Sequence, residues 1–252
     1  MKYYLQLLEV FTVGEIKSRY KASLLGPLWI ILYPLLTTFF LSFIFENIVK
    51  IKTEETPYFI FLLSGLLFWD FFQQGVLLAK ESLIWNRDLV TKTTFPKEVL
   101  PLSFIFSKIP DFLVNLLILF IFLIIFGLKI KFVFLTLILA IVPLSLFAAS
   151  FGLFFSLTNA IFRDFGRIIE LFLLVFFYAT PILYSENLVP MKYLWLVKIN
   201  PLGLVTTFAH DLLFRDKLSF NLIISSSVIS LVFFILGVIF FKKFEKKIVD
   251  LI

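Results

Sequence analysis

Few residues in this sequence are able to do covalent or metal chemistry. The 252 residues include no cysteine and one histidine, His210, which sits beside Asp211. Thiolate nucleophiles, disulfides and multi-histidine metal sites are therefore excluded, and no metal set or catalytic residue is assigned. A single imidazole cannot assemble a two-histidine phosphatase or an H-E-x-x-H metalloprotease helix, so His210 reads first as structural. No G-x-x-x-x-G-K-[ST] run occurs, which leaves the chain without the usual phosphate cradle and unable by itself to be an ATP motor. Asp70 is the one acid deep in an apolar stretch, 56–79. Left unpaired against lipid it would cost about 2.5–3.5 kcal/mol, so it must face protein or water. Two roles fit it: a polar spot on a translocation path, or a hydrogen-bonded contact with a neighbouring helix or the adjacent Gln73 and Gln74. A proton relay would need titratable groups in other spans, and these are almost absent.

The elements that must position these residues follow from composition. Hydrophobic residues make up 61% of the chain, charged residues 16%, and the mean hydropathy is +1.04. A soluble globule needs a polar shell that such a chain cannot supply, so the solvent for most side chains is lipid. The net charge of +6 falls in short clusters between apolar stretches, a pattern of membrane orientation and not of nucleic-acid binding.

A helix needs about 20 apolar residues to cross the hydrocarbon layer. The sequence predicts an all-α integral membrane protein of one domain, 1–252, with six transmembrane helices at about 24–46, 57–79, 101–128, 132–157, 166–184 and 219–241. The third is completed by running back past Lys108 and Asp111, which are three apart on one helical face. Residues 186–215 hold Pro190, Lys192, Lys198 and Pro201, which cut the apolar residues into pieces too short to cross, so re-entrant half-helices are expected between spans five and six. Fifteen Lys and Arg lie in segments 1–27, 80–108, 163–167 and 242–247 against eight in the alternate segments, which places both termini in the cytoplasm. Glu9, Glu15, Lys17 and Arg19 interrupt any signal-peptide core before residue 22. Residues 1–22 are instead expected to be an amphipathic interface helix, with a polar stripe of Lys2, Gln6, Glu9, Thr12, Glu15 and Arg19. Such a helix is either a simple anchor or a cuff for a cytosolic partner.

With the spans laid out, the polar punctuation resembles that of the type-2 ABC exporter permeases of polysaccharides. The matching residues are Glu15-Ile16-Lys17-Ser18-Arg19-Tyr20, Leu25-Gly26-Pro27-Leu28-Trp29 and Tyr33-Pro34, then Ser64-Gly65 with Trp69 and Phe71-Phe72. Asn86-Arg87-Asp88-Leu89-Val90 leads to Lys92, Phe95-Pro96-Lys97 and Leu100-Pro101. Arg163-Asp164, Pro181-Ile182-Leu183-Tyr184, Val189-Pro190 and Asn200-Pro201 complete the set. His210 departs from it, standing where many relatives carry an arginine. The resemblance implies a half-transporter in the cytoplasmic (inner) membrane, in which two copies of a six-span permease form a pore driven by two cytosolic ABC ATPase subunits. No cofactor is then held by this chain, and ATP and magnesium belong to the partner ATPase. In relatives the surface helix, here with Glu15 and Arg19, and the turn of Asn86, Arg87, Asp88, Phe95 and Pro96 dock on the ATPase. A short helix braced by Pro96 and Pro101 transmits a push that a Gly-rich loop would absorb. The alternative is that this charged turn only sets topology. Pro181, Tyr184, Pro190, Asn200 and Pro201 punctuate the outer re-entrant segment.

Aromatic residues fall on single helical faces at about 100° per residue. Trp29, Tyr33, Phe40 and Phe43 share a quadrant of span one, and Tyr58, Phe61, Phe68, Trp69 and Phe72 share a face of span two. Sugar rings stack on such surfaces, so Trp29, Tyr33, Phe40, Tyr58, Phe68, Trp69 and Phe72 are expected along the path of a glycan. With 36 Phe in 252 residues, lipid contact and interfacial anchoring remain equally open for these stripes. The function expected first is the membrane subunit of an ATP-driven exporter of a lipid-linked polysaccharide of O-antigen, capsule or teichoic acid type. The same architecture could export a drug, haem or lipid. A membrane-embedded transferase on lipid-linked sugar would have only Asp70 and His210 to work with, and a secondary transporter would show paired broken helices where this chain has one broken segment.

Overall fold

The computed structural model describes residues 2–20, 26–50, 57–128, 133–162 and 164–251. Lys21, Leu25, Lys52, Lys129, Lys131 and Arg163, which enter the sequence reading above, lie outside them. The described residues form helices: α1 (Lys2–Tyr20), α2 (Trp29–Phe43), α3 (Tyr58–Trp85), α4 (Arg87–Lys92), α5 (Val99–Phe106), α6 (Ile109–Ile125), α7 (Val133–Ile138), α8 (Ile141–Ile161), α9 (Phe165–Ala179), α10 (Leu194–Ile199), α11 (Pro201–Phe214) and α12 (Phe220–Leu251). No strand occurs among them.

Among the described residues, five helical segments are long and apolar enough to cross a membrane: Gly26–Ile48, Tyr58–Trp85, Val99–Ile125, Thr136–Ile161 and Phe220–Lys246. The expected fifth span, 166–184, corresponds to α9, whose 15 residues reach only about 22 Å at 1.5 Å per residue. It ends at Thr180, whose extended backbone (ψ 137°) precedes Pro181, as expected for a residue before proline. The second span is longer than its uncharged stretch. α3 continues through Lys80 and Glu81 to Trp85, so Lys80 is a helix-interior residue and not the loop residue that charge counting made of it.

The core is built around α3, which is buried on all sides between α2, α5, α6, α8 and α11. Such a helix needs apolar residues around its whole circumference, and α3 supplies them: Ile60, Leu62, Phe68, Phe72, Val76 and Leu83 are fully buried. Phe72 stacks on Phe147 of α8 at 5.1 Å. In lipid no hydrophobic force joins apolar helices, so close backbone approach and packing must do so. Gly237 supplies that approach between α12 and α8, where an added Cβ would lie 2.9 Å from the Ser150 carbonyl oxygen and 3.0 Å from its Cα. Around the core the outward residues of α6, α9 and α12 are exposed and apolar, including Leu117, Ile121, Leu171, Val175, Val228 and Ile235, which suits contact with lipid.

α2 turns the usual pattern around. Its buried stripe is made of small side chains, Pro34, Thr38 and Ser42, while Trp29, Tyr33, Phe40 and Phe43 point outward at 49–59% exposure. Thr38 Oγ1 donates to the Pro34 carbonyl at 2.6 Å, which occupies one lone pair of a backbone group beside a proline kink site.

Candidate functional site

One corner of the bundle is assembled from α1, α4 and α5. α1 lies against α5, and the rings of Phe11 and Phe95 meet at 5.8 Å. At its C-terminal end Arg19 Nη1 reaches Asp111 Oδ2 at 3.0 Å, its Nη2 donates to the Ser107 hydroxyl, and Glu15 follows at 3.7 Å. Lys108 joins the same Asp111 oxygen at 2.9 Å. A two-branched guanidinium thus clamps α1 to the start of α6, a geometry that a lysine's point charge could not hold at two partners with one orientation. Of the residues expected to meet an ATPase, Arg19 and Glu15 are turned toward this network, Phe95 and Pro96 are half-buried, and Asn86 Nδ2 bonds the Ser82 carbonyl at 2.8 Å. Arg87 and Asp88 are exposed on the six-residue α4. Asp88 bonds Lys92 one turn on at 2.7 Å, and that bond holds its carboxyl below the usual carboxylate range.

Beside the clamp, two adjacent cavities of about 400 and 380 Å³ open between α2, α3, α6 and α9, and both are lined by Tyr33, Pro34 and Asp70. The first adds Arg19, Trp29, Gln74, Lys108, Asp111 and Asn115. The second adds Trp69, Gln73, Glu170 and Tyr178. Asp70 therefore faces a polar groove, as an intramembrane acid must, and it makes no hydrogen bond or ion pair among the described residues. The neighbouring Gln73 instead accepts a hydrogen bond from Trp69 Nε1 at 2.8 Å.

The two aromatic stripes have different surroundings. Trp29 and Tyr33 line the groove with exposed rings, and Phe40 is exposed farther along α2. Trp69 is 4% exposed at the wall of the second cavity and meets Phe177 edge-on at 5.1 Å. Tyr58, Phe68 and Phe72 are enclosed by the chain's own helices, at 2% exposure or less. Tyr58 donates to the Leu183 carbonyl at 2.7 Å, Phe68 lies 6.0 Å from Phe112, and Phe72 packs on α8.

Sequence reasoning missed the pair that joins α3 to α9. Lys80, 5% exposed, places Nζ 2.7 Å from Glu170 Oε1 and 3.3 Å from the Gly166 carbonyl. Asn159 Nδ2 bonds the Lys80 carbonyl at 3.1 Å. A signal was present in that Lys80 sits one residue past an apolar stretch and Glu170 one residue before another, but only the three-dimensional contact makes them a pair.

On the opposite side, the punctuating residues make a compact turn. Asn200 caps α11, its Oδ1 accepting from the Leu202 amide at 3.0 Å, as asparagine does well, while Pro201 occupies the first helical position. Asn200 Nδ2 donates to Thr180 Oγ1 at 2.9 Å, which ties α11 to the end of α9. Pro181 is buried, Pro190 is exposed, and Tyr184 bonds the Tyr178 carbonyl at 2.9 Å. His210 is a packed residue: its ring lies 3.9 Å from that of Phe61 and Nε2 donates to the Phe61 carbonyl at 3.3 Å. Its neighbour Asp211 holds Arg215 at 2.7 Å and accepts from Ser219 at 3.0 Å.

This arrangement offers a groove lined by charged and aromatic side chains and a corner braced by ion pairs, with no convergent nucleophile and base among the described residues. Comparison with known proteins agrees with it. The chain is 30% identical over 252 residues, 99% of its own length and 96% of the relative's, to the O-antigen export system permease protein RfbA of Klebsiella pneumoniae. It is 27% identical over 207 residues, 81% of this chain and 78% of the relative, to the O-antigen export system permease protein RfbA of Myxococcus xanthus. Residues 6–214 match the family described as ABC-2 type transporter; the chain belongs to that family.

Proposed function

We propose that this chain is the membrane-spanning subunit of an ATP-driven exporter that moves a lipid-linked polysaccharide across the cytoplasmic membrane. The observation that carries the reading is the near full-length similarity to permeases named for O-antigen export, in a chain with no phosphate loop of its own. ATP and magnesium are then bound by a separate ABC ATPase, two copies of which work with two copies of this chain. In that assembly α9 and residues 180–184 together make the fifth of six spans, α10 and α11 are the re-entrant half-helices of the outer face, and both termini are cytoplasmic. The exposed Arg87 and Asp88 suit contact with the ATPase. Phe95, Pro96 and the Arg19 clamp suit the relay of its movement to α5 and α6, because a salt-bridged, proline-braced corner moves as a unit. The groove below Trp29, Tyr33 and Asp70 suits the glycan.

The test is twofold. The full chain, tagged and extracted from its own membranes in mild detergent, should bring down an ABC ATPase. Cells that lose the chain should retain polysaccharide on its lipid carrier in the cytoplasmic leaflet. Absence of both results would overturn the proposal.

A further inference from the structure

We infer that the groove shared by the two cavities binds uncharged sugar units and discriminates against anionic ones, with Asp70 as the deciding residue. This rests on the exporter reading above and narrows its substrate class, since capsules and teichoic acids are commonly anionic polymers.

The charges on the groove carry the argument. Arg19 and Lys108 both converge on Oδ2 of Asp111, at 3.0 and 2.9 Å, with Glu15 3.7 Å from Arg19 to balance the second cation, and Glu170 is matched by Lys80 at 2.7 Å. Among the described residues Asp70 is the one lining charge with neither a hydrogen bond nor a contact ion pair, and it lines both cavities. A carboxylate in that position accepts hydrogen bonds from sugar hydroxyls and repels phosphate or uronate groups, an effect strengthened by the low dielectric of the surroundings.

A second, independent observation points to a ligand with hydroxyl groups. Asn115 is 5% exposed, it lines the larger groove cavity, and its Oδ1 has no hydrogen-bond partner among the described residues. Arg19 Nε, on the same cavity, is also unpartnered there. Buried polar atoms are nearly always satisfied, and an orphaned pair at one cavity asks for a ligand that both donates and accepts. A hydroxyl does both, and every sugar unit carries hydroxyls, so these two atoms call for a sugar while the discrimination by charge falls to Asp70. Trp29 and Tyr33 add the exposed ring faces on which the apolar side of a sugar rests.

The experiment measures quenching of tryptophan fluorescence in the full chain in lipid nanodiscs, titrated with maltoheptaose or with heptagalacturonate. The unmodified chain should bind the neutral heptamer at least about tenfold more tightly than the anionic one, an electrostatic discrimination. Asp70→Asn should narrow the ratio to about threefold or less. Gln74→Lys, which supplies a cation beside Asp70 on the same cavity, should narrow it similarly and serves if Asp70→Asn does not fold. Equal binding of the two sugars, binding of neither, or an unchanged ratio in a folded variant would overturn the inference. Retention of polysaccharide in cells lacking the chain is scored separately. Loss of discrimination with retention intact would sink the neutral-sugar assignment alone, and normal export without the chain would sink the exporter reading.

Discussion

The Lys80–Glu170 pair should be strongly asymmetric to mutation. Lys80 has a side chain 6% exposed, while that of Glu170 is 62% exposed and faces the groove. Glu170→Gln leaves a buried ammonium with the Gly166 carbonyl at 3.3 Å and Glu81 at 3.7 Å as its remaining acceptors. Breaking a fully buried pair from one side costs about 3–5 kcal/mol. The exposure of Glu170 and the two residual acceptors reduce the expected loss here to about 1–3 kcal/mol. Lys80→Met removes the buried charge itself and leaves a carboxylate that water in the groove can solvate, so its cost should stay within about 1 kcal/mol. The double variant should resemble Lys80→Met, which gives a coupling equal to the Glu170→Gln cost, about 1–3 kcal/mol, in a double-mutant cycle. The assay is equilibrium unfolding of the full chain in mixed micelles of dodecyl maltoside and increasing SDS, followed by circular dichroism. If Glu170→Gln costs no more than Lys80→Met, or the two effects simply add, the ammonium is solvated in the folded protein and the burial argument fails.

Other outcomes are equally accessible. In a chain with no native cysteine, Asn187→Cys should react with an impermeant maleimide in intact cells, whereas Thr91→Cys should react only after permeabilisation; labelling of Thr91→Cys from outside would reverse the proposed topology. Photo-crosslinkers at Arg87 and Asp88 should capture the ATPase while one at Ile121, on the outward face of α6, should not; capture from Ile121 alone would move the docking surface. Gly237→Ala should lower unfolding stability by about 1–3 kcal/mol through the clash with the Ser150 backbone, a typical overpacking cost. Gly14→Ala, which meets nothing within 4 Å, should not destabilise in the same assay.

Much of this protein was legible in residue order. The absence of a phosphate loop, of cysteine and of a second histidine bounded its chemistry, because motifs of that kind depend on local spacing. Five of the six expected spans match helices long and apolar enough to cross, because bilayer thickness dictates the run length, while the first helix was read from its polar stripe. The aromatic face of α2 was correctly placed on one side by the helical period, and Lys108 and Asp111 were correctly paired because residues three apart on a helix are neighbours.

Contacts between distant segments were not legible. Charge counting set Lys80 in a loop because an ammonium ends an apolar run, and nothing local reveals that Glu170 waits 2.7 Å away to keep it inside. The same blindness applies to Arg19, which reads as the polar edge of a surface helix until Asp111, 92 positions later, turns it inward. Periodicity put Trp29 and Phe68 alike on aromatic stripes, yet one ring is half exposed and the other enclosed. Run length and helical period determine which residues share a face and which segments enter lipid, since both are local properties of the chain. Whether a face meets a groove, lipid or another helix depends on which segments pack beside it, and that choice exists only in the tertiary structure.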